Sequence, residues 1–295
     1  MVDYNLSEGQ FAIDGYVFGS ATDEAVVLTN GWEQGSYEVR DQDVPSPTSD
    51  QVLFGRDRIT PGSWRFTIAC RRDGDALGVA RALARKWRGD AVRATPGARQ
   101  TLAFCQNGRT WLVYGRGRQF DIEAEEVTDH DFKVVNCVFR LADQLVYSGS
   151  ESSATLGLVS TAIGTTGLVL PAVLPWETLL APQERRGIVT INTDLATPFS
   201  VTIYGPTAGQ ANNFKIWSAD WSIGLDAVLG SGDRIDIDTR TGRMTRNRAP
   251  FGLSTPGTNL RAMLSPGPQE LVFTANDPTN TASAVVRWRE VSVLA

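Results

Sequence analysis

Apolar and polar residues alternate with a period of two through most of this 295-residue chain. A strand with one buried face requires that pattern, because successive side chains point to opposite sides of a sheet. It restricts the chain to a mainly β fold. Ser63–Arg71 (SWRFTIACR) puts Trp64, Phe66 and Ile68 on one face and Arg65 and Thr67 on the other. Ala284, Val286 and Trp288 alternate in the same way with Arg287 and Arg289. In GSGDRIDIDTRTGRMT (Gly230–Thr245), Ile235 and Ile237 face the core, and Asp236 and Asp238 face outward. Turn chemistry punctuates the runs. Gln106-Asn107-Gly108 marks a hairpin, Gly242 takes a positive φ in the turn after Asp238, and Asp233 closes a loop on local backbone.

One stretch departs from the alternation. DGDALGVARALARKWRG predicts a helix over about 75–88, capped by Asp75 and ended by Gly89. Leu77, Ala80, Leu83, Ala84 and Trp87 form its apolar stripe, and Arg81, Arg85 and Arg88 line the other side. The length suits two domains. Residues 1–148 read as a β domain carrying this helix, 149–184 as a connector or arm, and 185–295 as an all-β domain with the short, turn-separated strands of a sandwich or jelly roll. VPSPTSDQVLFGRDRITPG (44–62) reads as loop, and Pro198 as a break between two strands. The apolar run Leu156–Trp176 is long enough to cross a bilayer, but Gly, Pro, Ser and Thr interrupt it, so it is read as a docked connector without membrane insertion. The N-terminus lacks the basic and apolar regions of a signal peptide.

Composition removes several function classes. Apolar residues at 42% and charged residues at 21% are ordinary for a globular protein, and a net charge of −5 lacks the basic excess of a nucleic-acid binder. Cys70, Cys105 and Cys137 sit in apolar contexts without a CxxC pair, as buried thiols in a reducing compartment do. His130, the single histidine, lies in an acidic run, which argues against a nucleophilic triad and a zinc site. A calcium loop started at Asp233 fails at Ile235 and Ile237, and one started at Asp236 fails at Arg240 and at Asn247 in the twelfth position. No catalytic residue, metal ligand or cofactor is assigned. Three sets of candidates remain. Arg81, Arg85 and Arg88, with Lys86, are a solvated face, a protein interface or a site for the phosphates of a nucleic acid. The acidic run Asp121–Asp131, with Glu123, Glu125 and Glu126, is either a solvated turn or a negative surface that repels DNA or meets an Arg-rich neighbour. Trp217 and Trp221 are either core or a glycan-stacking platform.

The order of these segments resembles the distal tail (minor tail, tail-component) proteins of siphoviruses, the long-tailed, non-contractile bacteriophages. In the first half the resemblance rests on an early strand pair, FGRDRITPGSWRFTIA, the helix ALGVARALARKWRG and the hairpins after it. In the second it rests on GIVTINTDLATPFSVTIYGPTAG, NFKIWSADWSIGLDAVLGSGDRIDIDTRTGRM, LSPGPQELVFTAND and ASAVVRWRE. It implies an N-terminal tail-ring domain, a C-terminal jelly-roll (galectin-like) β-sandwich and a structural, non-enzymatic role. A homohexameric ring at the far end of the tail tube would join the tube protein to the tip, baseplate hub and tape-measure proteins, with DNA in transit. The protein would belong to the virion tail tip and assemble in the host cytoplasm. The 149–184 connector is longer and more apolar than a simple linker.

Two other readings have their own requirements. A carbohydrate-binding module for host attachment needs Trp217 or Trp221 at the surface of a groove. A glycosidase on a β-sandwich needs two facing carboxylates in a cleft.

Overall fold

The computed structural model describes residues 4–20, 22–45, 52–55, 57–123, 131–158, 186–252 and 254–292. The fold is mainly β, in antiparallel sheets. The chain divides into two compact units, one running through Gly149 and one comprising Ser150–Val291.

The first unit contains β1 (Gln10–Ile13), β2 (Tyr16–Gly19), β3 (Ala25–Gln34), β4 (Glu38–Arg40), β5 (Val44–Pro45), β6 (Val52–Leu53), β7 (Arg58–Thr60), β8 (Ser63–Arg71), α1 (Ala76–Arg88), α2 (Asp90–Ala94), β9 (Gln100–Gln106), β10 (Arg109–Ile122), β11 (Phe132–Leu141) and β12 (Val146–Ser148). The main sheet runs β2-β1-β9-β10-β11-β8-β3, with β12 also on β10. Its end strands β2 and β3 approach one another, so the sheet curls toward a barrel. Trp64, Phe66 and Ile68 of β8 are buried, as alternation requires. The β9–β10 hairpin turns on Asn107 and Gly108, both at positive φ, and Glu8 accepts from both of their N–H groups (3.0 and 2.9 Å). Those two donors hold the Glu8 carboxyl below its usual range. Cys70, Cys105 and Cys137 are free and buried, and burial pushes the Cys70 thiol up to about 11.

Helix α1 begins where Asp75 accepts from the Gly78 N–H (2.9 Å) and ends at Gly89, in the left-handed region at φ 56. Its buried face is Ala76, Val79, Ala80, Leu83 and Trp87. Leu77 belongs on the other side, which corrects the predicted stripe: positions 76, 79, 80, 83 and 87 share one face, and 77 falls in line with 81 and 85. The Trp87 ring meets Phe18, Phe66 and Phe139 at 5.7–6.2 Å in edge-on contacts. Gln100, itself buried, ties the end of the helix to the sheet. Its Nε2 donates to the Lys86 carbonyl (2.9 Å), and its Oε1 accepts from the Gly117 N–H (3.0 Å).

The second unit contains β13 (Ser152–Gly157), β14 (Arg186–Ile191), β15 (Thr197–Tyr204), β16 (Gln210–Trp217), β17 (Ser222–Leu225), β18 (Leu229–Gly230), β19 (Arg234–Asp238), β20 (Arg243–Arg246), β21 (Ala249–Phe251), β22 (Met263–Leu264), β23 (Gly267–Asn276) and β24 (Ser283–Trp288). One sheet runs β13-β24-β15-β19-β20-β21 and the other β14-β23-β16-β17. Their inner faces share one core, in which Val201, Ile235, Ile237 and Val286 of the first sheet join Phe214, Ile216, Leu271 and Phe273 of the second. Two details differ from the sequence reading. Pro198 lies inside β15, opposite Met263, where the first residues of a strand tolerate the missing donor. Ser152–Gly157, at the head of the expected connector, pairs with β24 along its whole length, and residues 159–185 lie outside the described set.

Asp233, Asp236 and Asp238 have local roles in this sandwich. Asp236 accepts from the Thr202 hydroxyl (3.0 Å) and pairs with Arg234 (3.2 Å). Asp238 accepts from the Arg240 N–H and the Thr241 hydroxyl in the turn that Gly242 completes at φ 68. Asp233 accepts from the Asn247 amide (2.7 Å), the Gly230 N–H (3.0 Å) and the Arg246 guanidinium (2.7 Å), which together hold its carboxyl at about 2. Among the described residues no group of three or more His, Cys, Asp or Glu is placed to hold a metal ion.

Gly117→Ala should lower the unfolding free energy of the first unit by about 2 kcal/mol in urea titrations, the scale of an overpacked core. For Asp233, the unfolded chain binds the proton at 3.8 and the folded chain only at about 2. Its stabilisation is therefore complete above pH ~4 and disappears as pH falls toward 2. The melting temperature of Asp233→Asn should lie below wild type at pH 7, with the gap closing by pH 2.

Candidate functional site

The first unit exposes more apolar surface than its fold needs. Between β3 and β8 the chain leaves the sheet at the Gly35 N–H to Ser63 carbonyl bond (3.1 Å). It continues as a two-stranded arm in which β4 pairs with β7 and β5 pairs with β6. Tyr37, Val39, Val44, Val52 and Leu53 are all exposed, and Phe54 is 86% exposed. The arm replaces the loop expected over 44–62. Strands of two or three residues hold too few alternations to register as a period. The available signal was the apolar set Val44, Val52, Leu53 and Phe54 placed on either side of a Pro- and Ser-rich centre.

The helix arginines are placed as their spacing required. Arg81 and Arg85 are exposed on the face of α1 that points away from the core, in line with Leu77, and have no partner among the described residues. Two like charges four residues apart disfavour a helix slightly, so this stripe is not there for helix stability. Arg88 differs, since it pairs with Asp90 at 2.7 Å. Glu123, just past the end of β10, accepts from the Asn136 amide rather than from a helix arginine. Glu125 and Glu126 lie outside the described residues.

The two candidate tryptophans separate. Trp221 is buried, with its ring 4.8 Å from that of Phe199, so it cannot stack on a sugar. Trp217 is half-exposed on β16, opposite Ser222 and Val272. The reason is parity along the β16–β17 hairpin: 214 and 216 face the core and 217 does not.

The outer face of the first unit's sheet carries a groove of about 480 Å³. It lies over the β8–β11 pair and is lined by side chains of both polarities, among them Glu33, Arg65, Gln119, Asn136 and Val138. Arg65 and Glu33 stand 3.9 Å apart, and Thr67 donates to Asn136 (2.9 Å). On alternation alone these residues are the solvated face of four strands, so the sequence did not mark them as a site.

Solved structures share this fold over nearly its whole length. The chain is similar to the SPP1 Dit (gp 19.1) protein, described as a paradigm of the hub adsorption apparatus in phages infecting Gram-positive bacteria. The identity is 12% and the TM-score 0.58, over 96% of this chain and 98% of that one. It is also similar to a chain of the phage P2 baseplate in its activated conformation with Ca, at 11% identity and TM-score 0.57, covering 95% and 97% of the two chains. The same baseplate with Sr gives 12% and 0.54, covering 94% and 97%. The resemblance read from the sequence therefore holds at the level of fold. No protein-family model matches the chain, and no curated protein sequence matches it.

If the arginine stripe serves contact rather than folding, the double variant Arg81→Ala/Arg85→Ala should unfold within about 0.5 kcal/mol of wild type in chemical denaturation, as exposed substitutions do.

Proposed function

We propose that this chain is a structural virion protein of a long-tailed bacteriophage. In this reading six copies close into a ring at the distal end of the tail tube. The ring joins the tube protein to the tip, baseplate hub and tape-measure proteins, and DNA passes through it. The protein acts by assembly and not by catalysis, resides in the tail tip, and assembles in the host cytoplasm. The first unit builds the ring, and the second, taken as a jelly roll, lies outside it.

The arm is the observation that carries this reading. A two-stranded ribbon has no core of its own and is marginal in water. Six exposed apolar side chains on such a ribbon, from Tyr37 to Phe54, are a surface that another chain covers. An arm and the different surface that receives it make a heterologous contact, and such contacts generate rings when the rotation closes. The shared fold with the SPP1 Dit protein and the P2 baseplate chains supports the same conclusion. Arg81 and Arg85 are free for an acidic neighbour, such as the 121–131 stretch of an adjacent copy.

The burial of Trp221 weakens the glycan-binding alternative, which is left with Trp217 alone.

The test is the mass of the purified full chain by light scattering. Wild type should run at six times the 32.1-kDa chain mass, and Leu53→Asp/Phe54→Asp should run as a folded monomer. A wild-type monomer that binds an immobilised glycan array through Trp217 would replace this reading with the glycan-binding one.

A further inference from the structure

We infer that the groove on the outer face of the β3–β8–β11–β10 sheet is the seat for the arm of a second copy of this chain. This inference rests on the arm-mediated assembly proposed above and specifies where the arm goes.

The groove is a built feature. Two strand irregularities flank the β8–β11 pair at the same level. On one side β3 shifts register against β8 between Val27 and Trp32, so that Trp32 faces Phe66. On the other side β10 shifts against β11 between Gly117 and Gln119, so that Gln119 faces Val138 and Phe120 faces Cys137. Phe66 and Cys137 face each other between them. Bulges bend a strand and re-aim its side chains, and a bulge on each side leaves a trough along the middle pair. Asn30 holds a positive φ of 61 in the β3 irregularity. A Cβ on Gly31 would stand 2.6 Å from the Thr67 carbonyl oxygen, so only glycine allows β3 to lie this close to β8.

The lining suits an uncharged, extended peptide. Arg65 and Glu33 compensate each other, so the trough has no net charge to offer an ionic ligand. Asn30 brings an amide that can meet backbone N–H and C=O, while the Asn136 amide is held by Thr67 and Glu123 and the Gln119 NH2 by Asp121, leaving the Gln119 carbonyl to accept. Val138 supplies an apolar contact beside them. The arm matches this balance: Val44 and Val52–Gly55 carry no charge and are exposed, Phe54 most of all. The helix stripe of Arg81 and Arg85, by contrast, offers an uncharged segment nothing to neutralise it.

The occupant is another copy because a molecule's own arm is not seated in its own groove: no described arm residue from Tyr37 to Phe54 lines it, and the arm's apolar side chains are exposed. Glu33, Ser63 and Arg65 line the groove at the root of the arm. Val44 and Leu53, further along the arm, pair with each other and not with a groove strand. The high exposure of Phe54 agrees with that pairing. Arm and groove are thus two different surfaces of one unit, as a repeating head-to-tail contact requires.

The test uses the full-length protein with a photo-crosslinking benzoylphenylalanine in place of Phe54, followed by peptide mapping of the cross-linked dimer. Cross-links should fall in Ser63–Thr67 or Asn136–Val138 of the other copy; inter-copy cross-links confined to other peptides overturn the inference. Light scattering on Val138→Lys, which fills the groove and leaves the arm intact, gives a second reading. A folded monomer supports the groove as the seat. If Val138→Lys assembles as wild type while Leu53→Asp/Phe54→Asp is monomeric, arm-mediated assembly stands and the groove is not its seat. If both variants keep the wild-type mass, arm-mediated assembly itself fails, and the groove assignment with it.

Discussion

Trp87 can close the barrel of the first unit because Gly117 has no side chain. A Cβ there would stand 2.3 Å from the Trp87 carbonyl oxygen and 2.6 Å from Cδ1 of its indole. With that space open, the indole reaches the aromatic interior and donates to the Val138 carbonyl (3.3 Å). Gln100 then satisfies the helix end and the bulged strand together. Carbonyls at a helix C-terminus lack intrahelical partners, and a buried N–H without an acceptor costs about 1–3 kcal/mol. One side chain answers both needs, which is why a buried glutamine is tolerated. Arg116 does related work on the next turn, donating to the Val92, Thr95 and Ala98 carbonyls at 2.7–3.1 Å.

The same contact shapes the outside of the sheet. The irregularity that carries Gly117 inward to Trp87 turns Gln119 outward beside Val138. The inner lock and the outer groove are therefore two faces of one bulge. This links the helix to the outer groove without requiring a helix residue to touch it. It also separates the roles of the helix arginines: Arg88 has its carboxylate in Asp90, and Arg81 and Arg85 are left for contact.

The second unit follows more directly from its pattern. Ile235 and Ile237 fill the core because the strand alternates, and the intervening aspartates are consumed by the neighbouring strands and turn. Asp236 meets Thr202, and Arg287 donates to that same Thr202 hydroxyl at 3.0 Å. A cluster of carboxylates that resembles a cation site in the linear sequence is, in the sheet, three acceptors facing three different sets of donors. Loop 254–262 covers the free side of β17 with bonds from the Thr255 and Asn259 N–H groups to the Gly224 and Ser222 carbonyls (3.0 and 2.9 Å). A covered edge no longer invites pairing with another chain.

Period-two alternation was enough to identify Ser63–Arg71, Arg234–Asp238 and Ser283–Trp288 as strands and to name their buried residues. Capping chemistry placed α1 between Asp75 and Gly89. These properties are local, and the residues that cause them lie within a few positions of each other. Four features were beyond local reach. The arm consists of strands too short to show a period. Leu77 was assigned to the core stripe, although the face that packs against the sheet runs through Ala76 and Val79. Trp217 and Trp221 are equivalent in composition, and only the fold buries one and exposes the other. The groove needs β3, β8, β10 and β11 side by side, with irregularities at matching levels, and pairing between residues as distant in sequence as Ser63 and Arg140 decides that. The sequence by itself determined which residues are strands, turns and core, because neighbouring side chains set those choices. Only the tertiary structure decided which polar faces come together as a groove, because that depends on which distant strands become neighbours.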